Sequence, residues 1–240
     1  MVRDVLFIWI PRTAGTSIFN ALSRHGMVQI KWPEALGDFA GRGMVTFTHM
    51  SVMTLLELGF IEEEFFRRAF KFCFVRNPWD RLVSLFFKIK EDDGIQGGLD
   101  RYSSFEQFCK DLPNLHIDPP GFYHYRGYSF FSNQVDWITN GSGRIFVDFV
   151  GRFENLREDF EKVCSIIGVE AELPHDNRSS HKPYWEYYTE ETRRIVEAVY
   201  RRDIETFGYS FRSATADSIG SLSFQVSCRA TPARSRDGGH

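Results

Sequence analysis

Apolar runs that alternate with capped, amphipathic helical segments place this chain in the α/β class, on a mainly parallel central sheet. Val5 to Ile10, Met44 to Phe47 and Phe70 to Val75 are almost unbroken apolar stretches, the pattern of strands buried on both faces. Two of them pass at once into a polar turn and then into helical spacing, which sets the order strand, turn, helix. The chain's 240 residues are 42% hydrophobic with 24 Phe, enough for one sizeable core and too apolar for whole-chain disorder. The balance of 29 basic against 32 acidic residues leaves a net charge of −3, without the basic excess that a dedicated nucleic-acid binder needs.

Val5-Leu-Phe-Ile-Trp-Ile10 predicts the first strand, followed by a turn over Pro11 to Ser17 and a helix carrying Ile18, Ala21 and Leu22. Met44 to Phe47 predicts a second strand leading into Thr48-His49, and Phe70 to Val75 a third. Asn77 suits a helix N-cap, Pro78 the first helical position and Asp80 the first turn, with the helix running to about Lys90. Ile145 to Val150 predicts a further strand. Asn155 and Glu158 have the spacing of a capping box ahead of Leu156, Phe160, Val163 and Ile167, with Gly168 as the stop. Thr189 caps a last helix with Ile195, Val196, Val199 and Ile204 on one face, ending near Gly208. Asp93 to Tyr128, rich in Gly, Pro, Tyr and His, breaks the rhythm and predicts an irregular lid or acceptor-binding segment. The domain is expected over residues 1–212, and residues 213–240, Ser-rich and without apolar period, are expected to form a disordered tail.

The four cysteines are scattered without a C-x-x-C pair and read as reduced thiols. The first apolar run is too short for a membrane span and ends in Pro11-Arg12 instead of a cleavage site, so a soluble, cytoplasmic protein is expected. No H-E-x-x-H or Cys/His ligand spacing occurs, and no metal is expected.

Two constellations carry chemistry. Pro11-Arg-Thr-Ala-Gly-Thr-Ser17 is a turn of small residues feeding a helix N-terminus, which gathers backbone N–H groups and the positive end of a helix dipole on one point, as an anionic phosphate requires. Gly15 admits close backbone approach, Thr16 and Ser17 add hydroxyls, and Arg12 adds a cation. It is not a Walker A loop, because Ile10 and Thr16 stand where a glycine and a lysine would be needed. In the second, Arg76 lies at the carboxyl end of a strand and Ser84 about two helical turns further on, so both can face the crevice at the sheet edge and receive a second phosphate.

These two segments resemble a known family. Ile10-Pro-Arg-Thr-Ala-Gly-Thr-Ser17 is similar to the 5′-phosphosulfate loop, and Val75-Arg-Asn-Pro-Trp-Asp-Arg-Leu-Val-Ser84 to the 3′-phosphate motif, of carbohydrate sulfotransferases of the heparan sulfate 2-O- and chondroitin 4-O-sulfotransferase type. The resemblance continues through Thr46-Phe-Thr-His-Met-Ser51 and Phe149-Val-Gly-Arg-Phe-Glu-Asn-Leu156, covering about residues 5 to 210. It implies a P-loop NTPase-like three-layer fold that binds 3′-phosphoadenosine 5′-phosphosulfate (PAPS) and moves its sulfuryl group to a hydroxyl of a carbohydrate or small hydroxylated acceptor, releasing the bisphosphate PAP without a metal. Arg12, Thr13, Ala14, Gly15, Thr16 and Ser17 would hold the 5′-phosphosulfate and Arg76 and Ser84 the 3′-phosphate. His49 matches a family histidine assigned as general base, and its unperturbed pKa suits that task. Arg12 is a departure from the family's lysine: it keeps the charge but is bulkier and cannot act as an acid.

His116, Tyr123, His124, Tyr125 and Arg126 are candidates for an acceptor cleft. Arg152 and Glu154 are candidates for shaping the site or for an internal ion pair. His175-Asp-Asn-Arg-Ser179 resembles a late loop that closes over the nucleotide. The rival functions are an ATP-dependent small-molecule kinase, which would need a Walker lysine and carboxylates for magnesium, and a non-catalytic nucleotide- or sugar-binding module.

Overall fold

A computed structural model describes residues 4–31, 39–91, 101–119, 124–125, 128–174 and 182–211. The expected tail from residue 213, Tyr123, Arg126, the side chains of His124 and Tyr125, and the segment His175 to Ser179 lie outside the described residues.

Five parallel strands form the central sheet: β1 (Val5–Trp9), β2 (Val28–Ile30), β3 (Met44–Thr48), β4 (Phe70–Val75) and β7 (Phe149–Arg152), in the order β2-β3-β1-β4-β7. A two-stranded antiparallel ribbon, β5 (His124–Tyr125) and β6 (Tyr128–Ser129), stands apart from it. Because every pairing in the central sheet is parallel, the carboxyl ends of β1, β3, β4 and β7 open onto one edge. Open α/β sheets bind ligands along that edge.

Strand alternation supplies two core layers. Val5, Phe7 and Trp9 point to the face covered by α1 (Gly15–Ser23) and α6 (Leu156–Ile167), where Phe72, Phe74 and Phe160 join them. Leu6, Ile8 and Ile10 point to the opposite face, under α2 (Val52–Glu57), α3 (Glu63–Arg68), Trp137 and Phe207. This is the three-layer, P-loop-like arrangement. A further cluster joins α4 (Pro78–Glu91), α5 (Phe105–Ile117) and α7 (Glu190–Val199) through Leu82, Phe86, Phe108, Leu112 and Val196.

Several elements differ from the sequence expectation. The strand expected over Ile145 to Val150 begins only at Phe149, because Ile145 is spent on an isolated bridge with Thr139. Asn155 makes no side-chain cap; Asp159, buried one turn into α6, accepts the Arg152 N–H at 2.8 Å in its stead. The last helix is two, α7 and α8 (Arg201–Phe207), broken at Tyr200, although Thr189 caps the first of them in a reciprocal box with Thr192. The segment expected to be irregular contains α5, capped by Ser104, with Phe105, Phe108, Cys109, Leu112 and Leu115 buried at helical spacing. Cys73, Cys109 and Cys164 are buried free thiols. Among the described residues, no helix is long and apolar enough to cross a membrane.

Candidate active site

Three turns at the carboxyl edge bring the candidate residues together. The turn from β1 into α1 carries Arg12 and Ala14, both at φ 68°, and the turn after β3 carries His49 at φ 52°. Among the described residues these are the three non-glycine residues with positive φ, and all three sit on the same sheet edge. A left-handed conformation costs an L-residue roughly 1–2 kcal/mol, so surrounding contacts must hold each one, and such strain gathers at ligand-binding sites.

Ala14 is the N-cap of α1 and brings no side-chain acceptor. The start of α1 lies at this edge, and the first turn of a helix is where backbone N–H groups gather for an anion. Thr13 is buried and its hydroxyl donates inward to the Ile10 carbonyl at 2.9 Å, so it braces the turn. Thr16 is exposed and Ser17 buried. Gly15 is needed for a reason the motif did not suggest. A Cβ there would lie 1.9 Å from Trp9 Nε1, so the glycine admits the Trp9 indole against the helix start.

Arg12 reaches across to the second constellation. Its Nη2 and Nε donate to Ser84 Oγ at 2.8 and 3.2 Å, and Arg76 Nη1 donates to the Arg12 carbonyl at 3.4 Å. The two anion sites read as separate in sequence therefore adjoin, because an arginine is long enough to span from one turn to the next. Arg76 is only 4% exposed, its guanidinium lying 3.9 Å from the Phe153 ring centroid, with Nε on Asp80 at 2.7 Å. Asn77 caps α4 by accepting the Trp79 N–H, as its sequence position predicts.

Behind Arg76 lies a support that motif reasoning missed. The Gln134 side chain accepts the Arg76 N–H and donates to the Arg76 carbonyl, both at 2.8 Å. Asp203 of α8 in turn accepts the backbone N–H groups of Gln134 and Val135. No local pattern marks Gln134 as special, since its partners are 58 and 69 residues away. Arg152 and Glu154 do not pair with each other among the described residues: Arg152 donates to the Phe207 carbonyl, and Glu154 accepts from the Asn77 N–H and the Tyr209 hydroxyl. His116, in α5, has its Nδ1 2.8 Å from the Phe131 carbonyl.

His49 stands between Trp9, Phe130 and Trp137, with ring centroids 5.6, 4.9 and 6.4 Å away, all edge-on. Its Nδ1 lies 3.2 Å from the Trp9 carbonyl. A carbonyl can only accept, so the proton of the neutral ring is on Nδ1 and Nε2 keeps its lone pair. Burial lowers the His49 pKa to about 4; the Trp9 bond opposes that fall and the nearby Arg12 charge adds to it. The imidazole is therefore neutral at pH 7, and the unperturbed pKa expected from the sequence is corrected downward because packing removes water from the ring. Among the described residues no group of three or more His, Cys, Asp or Glu is placed to hold a metal ion.

The residues from 3 to 210 match the profile of the sulfotransferase family. This chain belongs to that family. A mouse sulfotransferase, SULT7A1 complexed with PAP, superposes with a TM-score of 0.56 at 11% identity, covering 85% of each chain. A sulfotransferase from Alicyclobacillus acidocaldarius covers 86% of this chain and 99% of its own at 14% identity and a TM-score of 0.48. An Archaeoglobus fulgidus protein of unassigned function is 35% identical over 102 residues, 42% of this sulfotransferase-family chain and 70% of its own length. The mouse structure agrees with the P-loop-like α/β architecture read from the sheet order.

Proposed function

We propose that this sulfotransferase-family chain moves a sulfuryl group from PAPS to a hydroxyl of a carbohydrate or small hydroxylated acceptor. The observation that carries the reading is the meeting of Arg12 with Ser84 through its guanidinium and with the Arg76 fork through its carbonyl, on the sheet edge that also presents His49. In this reading the backbone of Thr13 to Ser17 and Arg12 hold the 5′-phosphosulfate, and Arg76 and Ser84 hold the 3′-phosphate. The donor set suits such a ligand: a helix N-terminus without a capping side chain, two guanidinium groups and a buried hydroxyl. The PAP bound to the mouse relative adds support. Asp80 holds Arg76 Nε, which leaves the opposite edge of the fork toward the Arg12 turn.

PAPS, when bound, supplies an activated sulfuryl group on a phosphate leaving group. His49 Nε2 takes the proton of the acceptor hydroxyl, while Nδ1–H stays on the Trp9 carbonyl and fixes the ring. Arg12 neutralises charge that builds on the leaving oxygen and on the group in flight. Partly exposed Phe130 beside His49 offers an apolar surface to the ring face of an acceptor. The unpaired cysteines among the described residues, Cys73, Cys109 and Cys164, fit a cytoplasmic location.

Calorimetric titration with PAP, AMP and ATP, with and without magnesium, tests the donor site. Preference for PAP without metal is the expected result. Preference for magnesium-ATP, or no nucleotide binding, overturns the reading.

A further inference from the structure

Arg81 is one residue past the first turn of α4 and only 2% exposed, a cation sunk in the molecule. Among the described residues it has no ion-pair partner within 4.0 Å; it interacts at longer range with buried Asp203, whose pKa is raised by burial against the opposing effect of Arg81. The guanidinium is spent on carbonyls. Nε donates to Pro11 at 3.2 Å, Nη2 to Phe130 at 2.8 Å and Nη1 to Ser132 at 3.1 Å, with the Tyr200 ring centroid 5.7 Å from the guanidinium carbon. Burying an arginine is costly, and using its rigid fork on three backbone acceptors from two distant segments fixes those segments relative to each other.

The two segments are the two halves of the site. Pro11 immediately precedes left-handed Arg12, and as a proline it has no N–H, so its carbonyl is the one backbone group by which the turn can be held there. Phe130 opens a strap whose three successive carbonyls, of residues 130, 131 and 132, are all held, the middle one by His116. The Phe130 ring lies on His49 at 4.9 Å. We propose that Arg81 is a positioning residue for sulfuryl transfer, fixing through one guanidinium both the turn that carries Arg12 and the strap that lays Phe130 on His49. It touches neither donor nor acceptor. The proposal rests on the reading that Arg12 and His49 serve one reaction.

The test is Arg81→Lys, whose single ammonium cannot span the three carbonyls, read by PAP titration calorimetry and by NMR titration of the His49 ring protons. PAP binding is expected to weaken by about tenfold through the released Arg12 turn. The His49 midpoint, about 4 in the wild type, should rise toward 6.5 as the strap loosens and water reaches the ring. Leu82→Ala, the neighbouring buried position on α4, should lower the melting temperature while leaving both readings in place. Phe130→Ala should move the His49 midpoint alone. Arg81→Lys that loses melting temperature as Leu82→Ala does, with either site reading unmoved, overturns the proposal. Should the lysine variant fail to fold, hydrogen exchange on the wild type decides: PAP should slow exchange at the amides of 130–134, and no slowing overturns the coupling. A wild-type chain that does not bind PAP overturns the donor reading itself, and with it the donor half of this proposal.

Discussion

The turn after β4 and the turns after β1 and β3 end parallel strands at the same edge, yet only the latter hold non-glycine residues in left-handed backbone among the described residues. After β4, Asn77 accepts the Trp79 N–H, Pro78 opens the helix and Asp80 lies in its first turn, so local chemistry already favours the conformation that Gln134 and Glu154 then brace. After β1 and β3, Arg12, Ala14 and His49 sit in left-handed backbone that their own side chains disfavour. Those turns are held from outside, by Arg81 on Pro11, Arg76 on Arg12 and the Trp9 carbonyl on His49. The strained turns carry the groups proposed to act on the sulfuryl group and the proton; the relaxed turn carries the groups proposed to anchor the nucleotide. Strain is kept where geometry must be imposed.

The largest expected effect falls on a strained turn. His49→Ala should cut turnover by about 10²–10⁴-fold while PAP affinity in calorimetry stays near wild type; an equal loss of both would end the division of labour between the turns. On the relaxed turn, Gln134→Leu removes the amide that pairs both backbone groups of Arg76, and should cost about 3 kcal/mol in denaturant unfolding together with weaker PAP binding. Gly15→Ala drives a Cβ into the Trp9 indole and should cost about 2 kcal/mol with loss of PAP binding, measured on the same samples. The smallest pair has opposite signs. Asn77→Ala should destabilise by about 1 kcal/mol by removing a cap, whereas Ala14→Gly should stabilise by about 0.5 kcal/mol by relieving a left-handed alanine. Thermal melts that give the two the same sign would remove the contrast.

The pH dependence sharpens the same comparison. Folded His49 binds its proton only near pH 4, while an unfolded histidine does so near 6.5. Between those values the unfolded chain holds more protons, so His49's contribution makes stability rise with pH across that window and is lost on acidification. The acid limb of turnover should likewise lie near pH 4, and His49→Ala should abolish the His49 part of both effects.

The α4 turn was legible because its signals are neighbours in sequence. So were β1, β3 and β4, whose apolar runs admit no solvent face. The helix α5 was hidden by Pro113 inside it and by glycines and prolines on both flanks, although its five apolar residues keep helical spacing and would have revealed it. The start of β7 was misplaced because Ile145 and Val147 are apolar for a reason other than the sheet: one bridges Thr139 and the other is buried in the core beside it. For the candidate site, Arg12, Arg76, Ser84 and His49 were picked out as types at strand ends. Gln134, Arg81 and Asp203 were not, since a glutamine, an arginine and an aspartate at those positions look like ordinary polar residues until the chain folds.

By itself the sequence determined the class of fold, the order strand-turn-helix around two turns proposed to bind anions, and the family, because burial periodicity and short turn motifs are local properties of the chain. Only the tertiary structure decided that Arg12 crosses to Ser84, that Gly15 makes room for Trp9, and that His49 is neutral with its proton on Nδ1. The Arg12 and His49 outcomes depend on distances between segments 72 and 40 residues apart, the Gly15 outcome on how the Trp9 ring packs, and the His49 charge on the water that packing excludes. No local pattern encodes any of them.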